Sequence, residues 1–251
     1  MHYLPNVVSL NNLEFDHADI FRDRADIQRS FSHLLKLVPA AGHVVYNEDD
    51  EALAELLPVS WCHSHSVGVG ENNDLQIADF RENEESCSYR LIWRGEPWLE
   101  VQAPLHGLYN ARNTAVAALA AGLLAYPENP TKLDLTGISS FRGVKRRQEV
   151  LFRGKGSLVI EDFGHHPSAV EATLTSQRHR FPEHEITVCL EPRSNTARTR
   201  VFQADWVHAL CQADKVHFGA VHRADKLEQA ERLDTHSICD ELMSQKLVRH
   251  A

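Results

Sequence analysis

The sequence predicts an α/β chain built as two units, and three observations carry that prediction. Short strand-forming runs alternate with segments of helical period, first over 7–63 and again over 158–246. Alternation of that kind is what a parallel sheet flanked by helices requires. Between the two, residues 75–102 switch to period-two alternation, which suits antiparallel strands. A basic stretch containing a glycine, 142–149, separates the patterns and is taken as the boundary, giving expected domains of 1–144 and 145–251.

Val7-Val8-Ser9-Leu10 reads as a short buried strand that breaks into a loop rich in carboxylates, 11–19. Ile27, Phe31, Leu34, Leu35 and Val38 follow at helical spacing, and Pro39 with Gly42 ends that run. A strand is expected over 43–46, a short acidic helix over 50–57 and another strand over 59–63. Leu75/Ile77, Tyr89/Leu91/Trp93 and Trp98/Glu100/Gln102 mark three antiparallel strands, read as an insertion or edge sheet with a turn at Gly95-Glu96-Pro97. The next helix has a face of small residues at Ala115, Ala118 and Gly122, and 133–141 is a short helix or turn. In the second unit, strands are expected over 158–161, 186–190 and 215–218, and helices over 168–180, 201–211 and 235–246.

Bulk composition narrows the function. The 251 residues suffice for one large domain or two small ones. A formal charge of −9 argues against a general binder of nucleic acid or of membrane surfaces, while leaving room for a local basic pocket. Five scattered cysteines without a C-x-x-C pair fit reduced thiols better than a disulfide frame. The longest apolar run, 115–125, is too short to span a bilayer, and the start lacks a basic-then-apolar leader. A cytoplasmic location is the expectation.

The polar residues concentrate in turns. Leu158-Val159-Ile160-Glu161 runs into Asp162-Phe163-Gly164-His165-His166-Pro167, and Pro167 suits the first position of a helix. A strand-turn-helix junction leaves free N–H groups that can seat an anion. An ordinary surface loop would contain the same residue types. Position favours the chemical reading, because right-handed β-α-β connections put all strand carboxyl ends on one edge. On that basis the loops 162–166, 191–196 and 219–223 open onto one crevice.

Other clusters have equally plain alternatives. Glu14, Asp16, His17 and Asp19 offer oxygen and nitrogen ligands to a divalent ion, or form a solvated loop. Asn110 and Asn113 present amides able to read a nucleobase edge, though Asn110 is also a good helix cap. Lys145-Arg146-Arg147 suits phosphate, or is simply a solvent-facing hinge. Arg193-Ser194-Asn195 is rich in donors for a carboxylate, or is a β-to-α turn. A metal hydrolase would need a compact ligand set, which His17 and His165-His166, read as lying in different domains, do not supply.

In this order the clusters resemble the Mur ligases. The carrying residues are Asn11-Asn12-Leu13-Glu14-Phe15-Asp16-His17-Ala18-Asp19-Ile20-Phe21, Gly107-x-Tyr109-Asn110-x-x-Asn113, Gly143-Val144-Lys145-Arg146-Arg147, Asp162 to Pro167, and Glu191-Pro192-Arg193-Ser194-Asn195-Thr196. The resemblance covers nearly the whole chain. It implies the later part of a central ATPase domain, a parallel sheet plus a small antiparallel sheet, followed by a Rossmann-like carboxy-terminal domain. It implies an ATP-dependent ligase of peptidoglycan recycling, joining UDP-N-acetylmuramate to the murein tripeptide L-Ala-γ-D-Glu-meso-diaminopimelate through an acyl-phosphate.

The roles that the resemblance implies are specific. His17 helps hold Mg²⁺, Asn110 and Asn113 lie at the adenine of ATP, Arg147 reaches its phosphates and Asp162 faces the nucleotide. The loops of His165-His166 and of Arg193-Ser194-Asn195 lie near the incoming peptide, with His165, His166 and Arg147 as the catalytic set and Arg193, Ser194 and Asn195 as substrate contacts. Tyr109 stands where the family usually has histidine. The family's G-x-x-x-x-G-K-[ST]-like phosphate loop does not occur in these residues, so the chain is expected to be cut at both ends and inactive alone. The other reading is a non-catalytic module that binds nucleotide or peptide.

Overall fold

The computed structural model describes residues 4–245, 247 and 248. These fall into two compact units, one of residues 4–15 with 21–142, the other of 16–20 with the described residues from 143 onward. The short segment 16–20 therefore groups with the later part of the chain, whereas the sequence pattern assigns it to the first.

Unit 1 is a mixed six-stranded sheet in simple order β1-β2-β3-β4-β5-β6. Strand β1 (Val7–Leu10) leads through α1 (Arg24–Leu35) to β2 (His43–Asn47), then through α2 (Glu51–Ala54) to β3 (His63–Gly68). All three strands run parallel, with Val7 opposite His43 and His43 opposite His63. Asp23 and Asp50 cap α1 and α2, each side chain accepting a backbone N–H of the first turn. Helix α2 is shorter than expected, since Pro58 disfavours helical geometry at Leu57. Strand β3 begins at residue 63, where the expected strand 59–63 ends. Its first four residues are His-Ser-His-Ser, and hydrophobic patterning does not register such a polar strand.

Strands β4 (Leu75–Glu82), β5 (Cys87–Trp93) and β6 (Glu96–Ala103) form the expected antiparallel meander. They are not a separate sheet, because β4 joins β3 in parallel through Val67↔Leu75 and Gly68↔Gln76. Overlap is confined to the strand tips, so the chain need not travel back the length of β3. A short loop then replaces the long crossover that parallel strands ordinarily need. The β5–β6 turn is Arg94-Gly95, both at positive φ (48° and 87°), one residue before the expected turn.

Helix α3 (Leu108–Ala125) lies against this sheet. Ala111, Ala115, Val116, Ala118, Leu119 and Leu123 bury against Val45, Val67, Leu75, Ile77 and Leu91. A second cluster, including Val8, Leu10, Ile27, Leu35, Val44 and Leu53, forms around α1 and α2. Residues 133–141 hold a 3₁₀ turn, Thr136–Ser140.

In unit 2, β7 (Glu149–Gly154) and β8 (Ser157–Glu161) form an antiparallel hairpin through Lys155-Gly156, both at positive φ. The sequence pattern places a basic boundary over the start of β7 and gives no sign of that strand. Helix α4 (Pro167–Arg180) follows, then β9 (Thr187–Leu190), α5 (Gln203–Leu210), β10 (Lys215–Phe218) and α6 (Thr235–Ser244). A 3₁₀ turn, Arg200–Phe202, occupies the start of the expected helix 201–211, and residue 246 of the expected helix 235–246 lies outside the described residues.

Strands β9 and β10 pair in parallel, Thr187 opposite Lys215. Strand β8 does not extend that pair, as a three-stranded parallel arrangement would require; it bonds to β7 instead. The core centres on Trp206, Leu210, Val216, Ile238 and Leu242, all 1% exposed or less. Among the described residues no helix is long and apolar enough to cross a membrane.

Leu119 is fully buried between α3 and the sheet. Leu119→Ala should lower unfolding stability by about 2–5 kcal/mol, a cavity cost readable from the urea midpoint.

Candidate functional site

Two polar sites emerge, one in each unit. In unit 1 the carboxyl ends of β1–β3 converge with the start of α3. Gly107 at φ 89° precedes the helix, and its N–H donates to Glu82 Oε2 at 2.8 Å. A Cβ there would run into the Tyr109 ring, so glycine is required twice over. Asn110 is not the cap. It sits in the first turn and its amide donates to the His106 carbonyl at 2.7 Å, because the turn at Gly107 already starts the helix.

Asn113 accepts a hydrogen bond from Asn11 Nδ2, at the end of β1. Asp49, just beyond β2, receives Arg112 Nη2 at 2.7 Å and the Val69 N–H at 3.1 Å. Asp50 caps α2 while accepting the Leu13 N–H at 2.9 Å, and Asn47 donates to the Asn11 carbonyl at 3.0 Å. Asn110 and Asn113 are thus carried on a helix start pinned to the strand ends. Asp49 and Arg112, which do the pinning, have no signal in the sequence beyond their polarity.

In unit 2 the contacts gather on Asp16. Its carboxylate accepts the His17 N–H at 2.7 Å, and His165 Nε2 and His17 Nε2 stand 3.9 and 3.8 Å from its other oxygen. Burial works to raise its pKa, but the His17 amide, the Thr196 hydroxyl and the His17 and His166 imidazoles outweigh burial and hold it below the usual range. Thr196, 3% exposed, also accepts the Ala18 N–H at 3.2 Å. Asn195 donates to Asp19 at 2.8 Å. His17 itself takes the left-handed conformation, φ 54°.

His17 and His165-His166 therefore belong to one unit, contrary to the separation that the sequence pattern suggests. The long sequence interval hides a contact made only by folding. Among the described residues, however, no three His, Cys, Asp or Glu side chains are grouped to hold a metal ion.

His166 ends the turn before α4, with Nδ1 2.8 Å from Ser168 Oγ and its ring edge-on to Phe202. Ser194 Oγ accepts the Ala197 N–H at 3.0 Å, and Arg193 lies beside Glu191 at 3.6 Å, with most of its side chain exposed. The loops after β9 and β10 share an edge, since the His222 N–H donates to the Pro192 carbonyl at 3.0 Å.

Asp162 is committed to backbone. One oxygen accepts the Gln148 N–H at 2.9 Å and the other the Gly164 N–H at 2.6 Å, while the Phe163 N–H donates to the Arg146 carbonyl at 2.8 Å. Arg146 and Arg147 both lie over the Phe163 ring at 5.3 Å, and Arg146 pairs with Glu161 at 2.9 Å. The basic stretch is thereby bound to the β8–α4 turn, with Arg147 next to Asp162.

This mixed α/β architecture and these motifs are those of the Mur ligase family, to which the chain belongs. Residues 2–121 match the Mur ligase middle domain. Over 217 residues the chain is 34% identical to the UDP-N-acetylmuramate–L-alanyl-γ-D-glutamyl-meso-2,6-diaminoheptandioate ligase of Escherichia coli K12, covering 86% of this chain and 46% of that protein. The chain spans about half the length of the curated relatives it matches. In fold it resembles the UDP-N-acetylmuramate-alanine ligase of Thermotoga maritima, with TM-score 0.71 and 20% identity over 99% of this chain and 51% of that one. It also resembles MurF ligase of Thermotoga maritima in complex with ADP, with TM-score 0.70 and 18% identity over 96% of this chain and 56% of that one.

Two outcomes follow from the carboxylates. Asp162→Ala strands two N–H groups and should cost about 1–3 kcal/mol, with faster amide exchange at Gln148 and Gly164. Asp16, its pKa lowered on folding, adds stability that is present above pH 3.8 and lost as pH falls through the folded value. Asp16→Asn should remove that acid-side loss from the unfolding profile.

Proposed function

We propose that the chain serves an ATP-dependent ligation that joins UDP-N-acetylmuramate to L-Ala-γ-D-Glu-meso-diaminopimelate in peptidoglycan recycling. The observation that carries this reading is the 34% identity over 86% of the chain to a ligase named for those substrates. Cytoplasmic nucleotide substrates put the work in the cytoplasm.

The chemistry proceeds in two displacements. A muramate carboxylate oxygen attacks the γ-phosphorus of ATP, the β–γ bridging bond breaks, and ADP leaves. The tripeptide amine then attacks the acyl carbon, inorganic phosphate departs, and the amine loses a proton. Catalysis of such steps rests mainly on positioning and on compensating negative charge.

Arg147 compensates charge on the transferred phosphoryl group, and Asp162 contributes by holding the turn next to Arg147. Asn110 and Asn113 read the adenine edge from the pinned start of α3. His165 and His166 polarise the reacting groups of the peptide, with Asp16 orienting His165. Arg193, Ser194 and Asn195 receive the peptide carboxylates. Mg²⁺ would be bound together with the ATP phosphates and would offset their charge, and His17 is its proposed protein contact. Among the described residues, no three His, Cys, Asp or Glu side chains group into a metal site of their own.

A second reading, a binding module without turnover, draws on the lack of a G-x-x-x-x-G-K-[ST] run in these 251 residues. Calorimetry on the purified chain tests the nucleotide and peptide sites that both readings require, and tripeptide-dependent phosphate release would exclude the module without turnover. We expect binding of tripeptide weakened about tenfold or more by Arg193→Ala, through loss of a charge-assisted contact. We also expect nucleotide binding weakened by Asn113→Ala, with no tripeptide-dependent ATP hydrolysis by the chain alone. Unaltered tripeptide affinity in Arg193→Ala would remove that residue from the site.

A further inference from the structure

Away from the strand ends that carry the candidate site, unit 1 holds three histidines on one face of its sheet. His43 on β2 lies opposite His63 on β3, and His65 is two residues further along. The His43 ring stacks on both, at 5.2 and 5.3 Å between centroids. His43 Nδ1 and His65 Nε2 are 3.0 Å apart, a shared hydrogen bond. His65 is 6% exposed, and its Nδ1 has no partner among the described residues.

The cluster sits where the sheet is weakest. Strands β3 and β4 share only the two pairs Val67↔Leu75 and Gly68↔Gln76. Below them the parallel and antiparallel halves are joined by side chains. The Ser66 N–H donates to Asp74 Oδ2 at 3.1 Å, and the Asp74 N–H to Ser66 Oγ at 3.0 Å. Arg94 Nε donates to Asp74 Oδ1 at 3.0 Å, with the guanidinium over Trp93. Trp93 in turn lies 5.8 Å from the His65 ring. His65 is therefore both half of an imidazole pair and part of the joint.

Counting protons shows what acid does here. Two neutral imidazoles carry two ring protons over four nitrogens, and the shared bond uses one of them. With the shared proton on His65 Nε2, the other rests on His43 Nε2 and leaves only a lone pair at the buried His65 Nδ1, the tautomer that strands no buried N–H. A third proton must either place an N–H at His65 Nδ1, where it has no partner, or break the shared bond. A proton on His65 puts a cation near Arg94, with Asp74, the counter-ion of Arg94, acting in the opposite sense. His63 adds a further basic neighbour, and Glu128, just after α3, is the acidic group facing His43.

We propose that the His43–His65 pair is an acid-sensitive clasp, which while neutral ties β2 to β3 and keeps His65 packed on Trp93 of β5, and which loosens the β3–β4 joint when protonated. Burial, the first cause, lowers the His65 pKa to about 4, and lowers that of His43 as well. A histidine depressed on folding favours the native state above its unfolded value, and that advantage is lost as pH falls from about 6.5 towards 4. Release would loosen the loop after β3, whose Val69 N–H reaches the Asp49 carboxylate that anchors Arg112 of α3.

The test is amide exchange followed by mass spectrometry on the 251-residue chain at pH 6.5 and 4.5, corrected for intrinsic rates. Peptides covering 64–76 should lose protection about tenfold or more on acidification, ahead of the β4–β5–β6 meander. The double variant His43→Gln, His65→Gln should hold that protection constant over the same range. Equal loss in the variant, or no selective loss in the wild-type chain, overturns the proposal. If the variant does not fold, titration of the wild-type imidazole resonances decides. Two rings titrating together below the ordinary histidine range support the clasp, and three independent ordinary titrations overturn it.

Discussion

Close packing of α3 on the unit 1 sheet is the constraint from which the geometry of that unit follows. Alanine at 111, 115 and 118 lets the helix backbone approach Val45, Val67 and Leu91 without intervening bulk. Gly122 extends the same economy, since a Cβ there would meet Pro130 at 2.8 Å. With the helix body fixed, its first turn has little freedom, and Arg112 and Asn113 bind it to residues just beyond β2 and β1. Burial supplies the energy of this packing, and a few polar contacts supply its register.

In unit 2 the turns of the candidate site are fixed by two carboxylates, Asp162 and Asp16, that accept backbone amides. Asp162 bridges Gln148 and Gly164, and Asp16 takes the His17 N–H while facing Thr196 and the histidines. A carboxylate held by N–H groups fixes loop geometry without a paired lysine or arginine. The arginines nearby are consequently left for other work. Arg147 packs over Phe163 and Arg193 stands largely in solvent, both on turns too tightly bonded to drift far.

The parts of the fold that hydrophobic periodicity marks were legible: β1, α1, β2, the three-stranded meander and the small-residue face of α3. Failures came where pairing, not pattern, decides. Four of the six residues of β3 are serine or histidine, and pairing with its neighbours, chiefly β2, makes it a strand. Strand β7 lies next to a basic stretch, and its Val150, Leu151 and Phe152 are half exposed, so no buried face announces it. The extension of β8 towards β9 failed for the same reason, because β8 met the demand for hydrogen bonds with its hairpin partner.

The candidate site was legible as residue types and only partly as an arrangement. The motifs named His17, Asn110, Asn113, Arg147, Asp162, His165, His166 and the Arg193-Ser194-Asn195 turn, and with them the family. Order along the chain was enough for that, since each motif is local. Folding alone brought Asp16 and His17 to Thr196 and His165, across more than a hundred residues, and joined Asp49 to Arg112. Such contacts depend on which backbone groups remain unpaired once strands and helices have formed, a quantity that no local stretch of sequence contains.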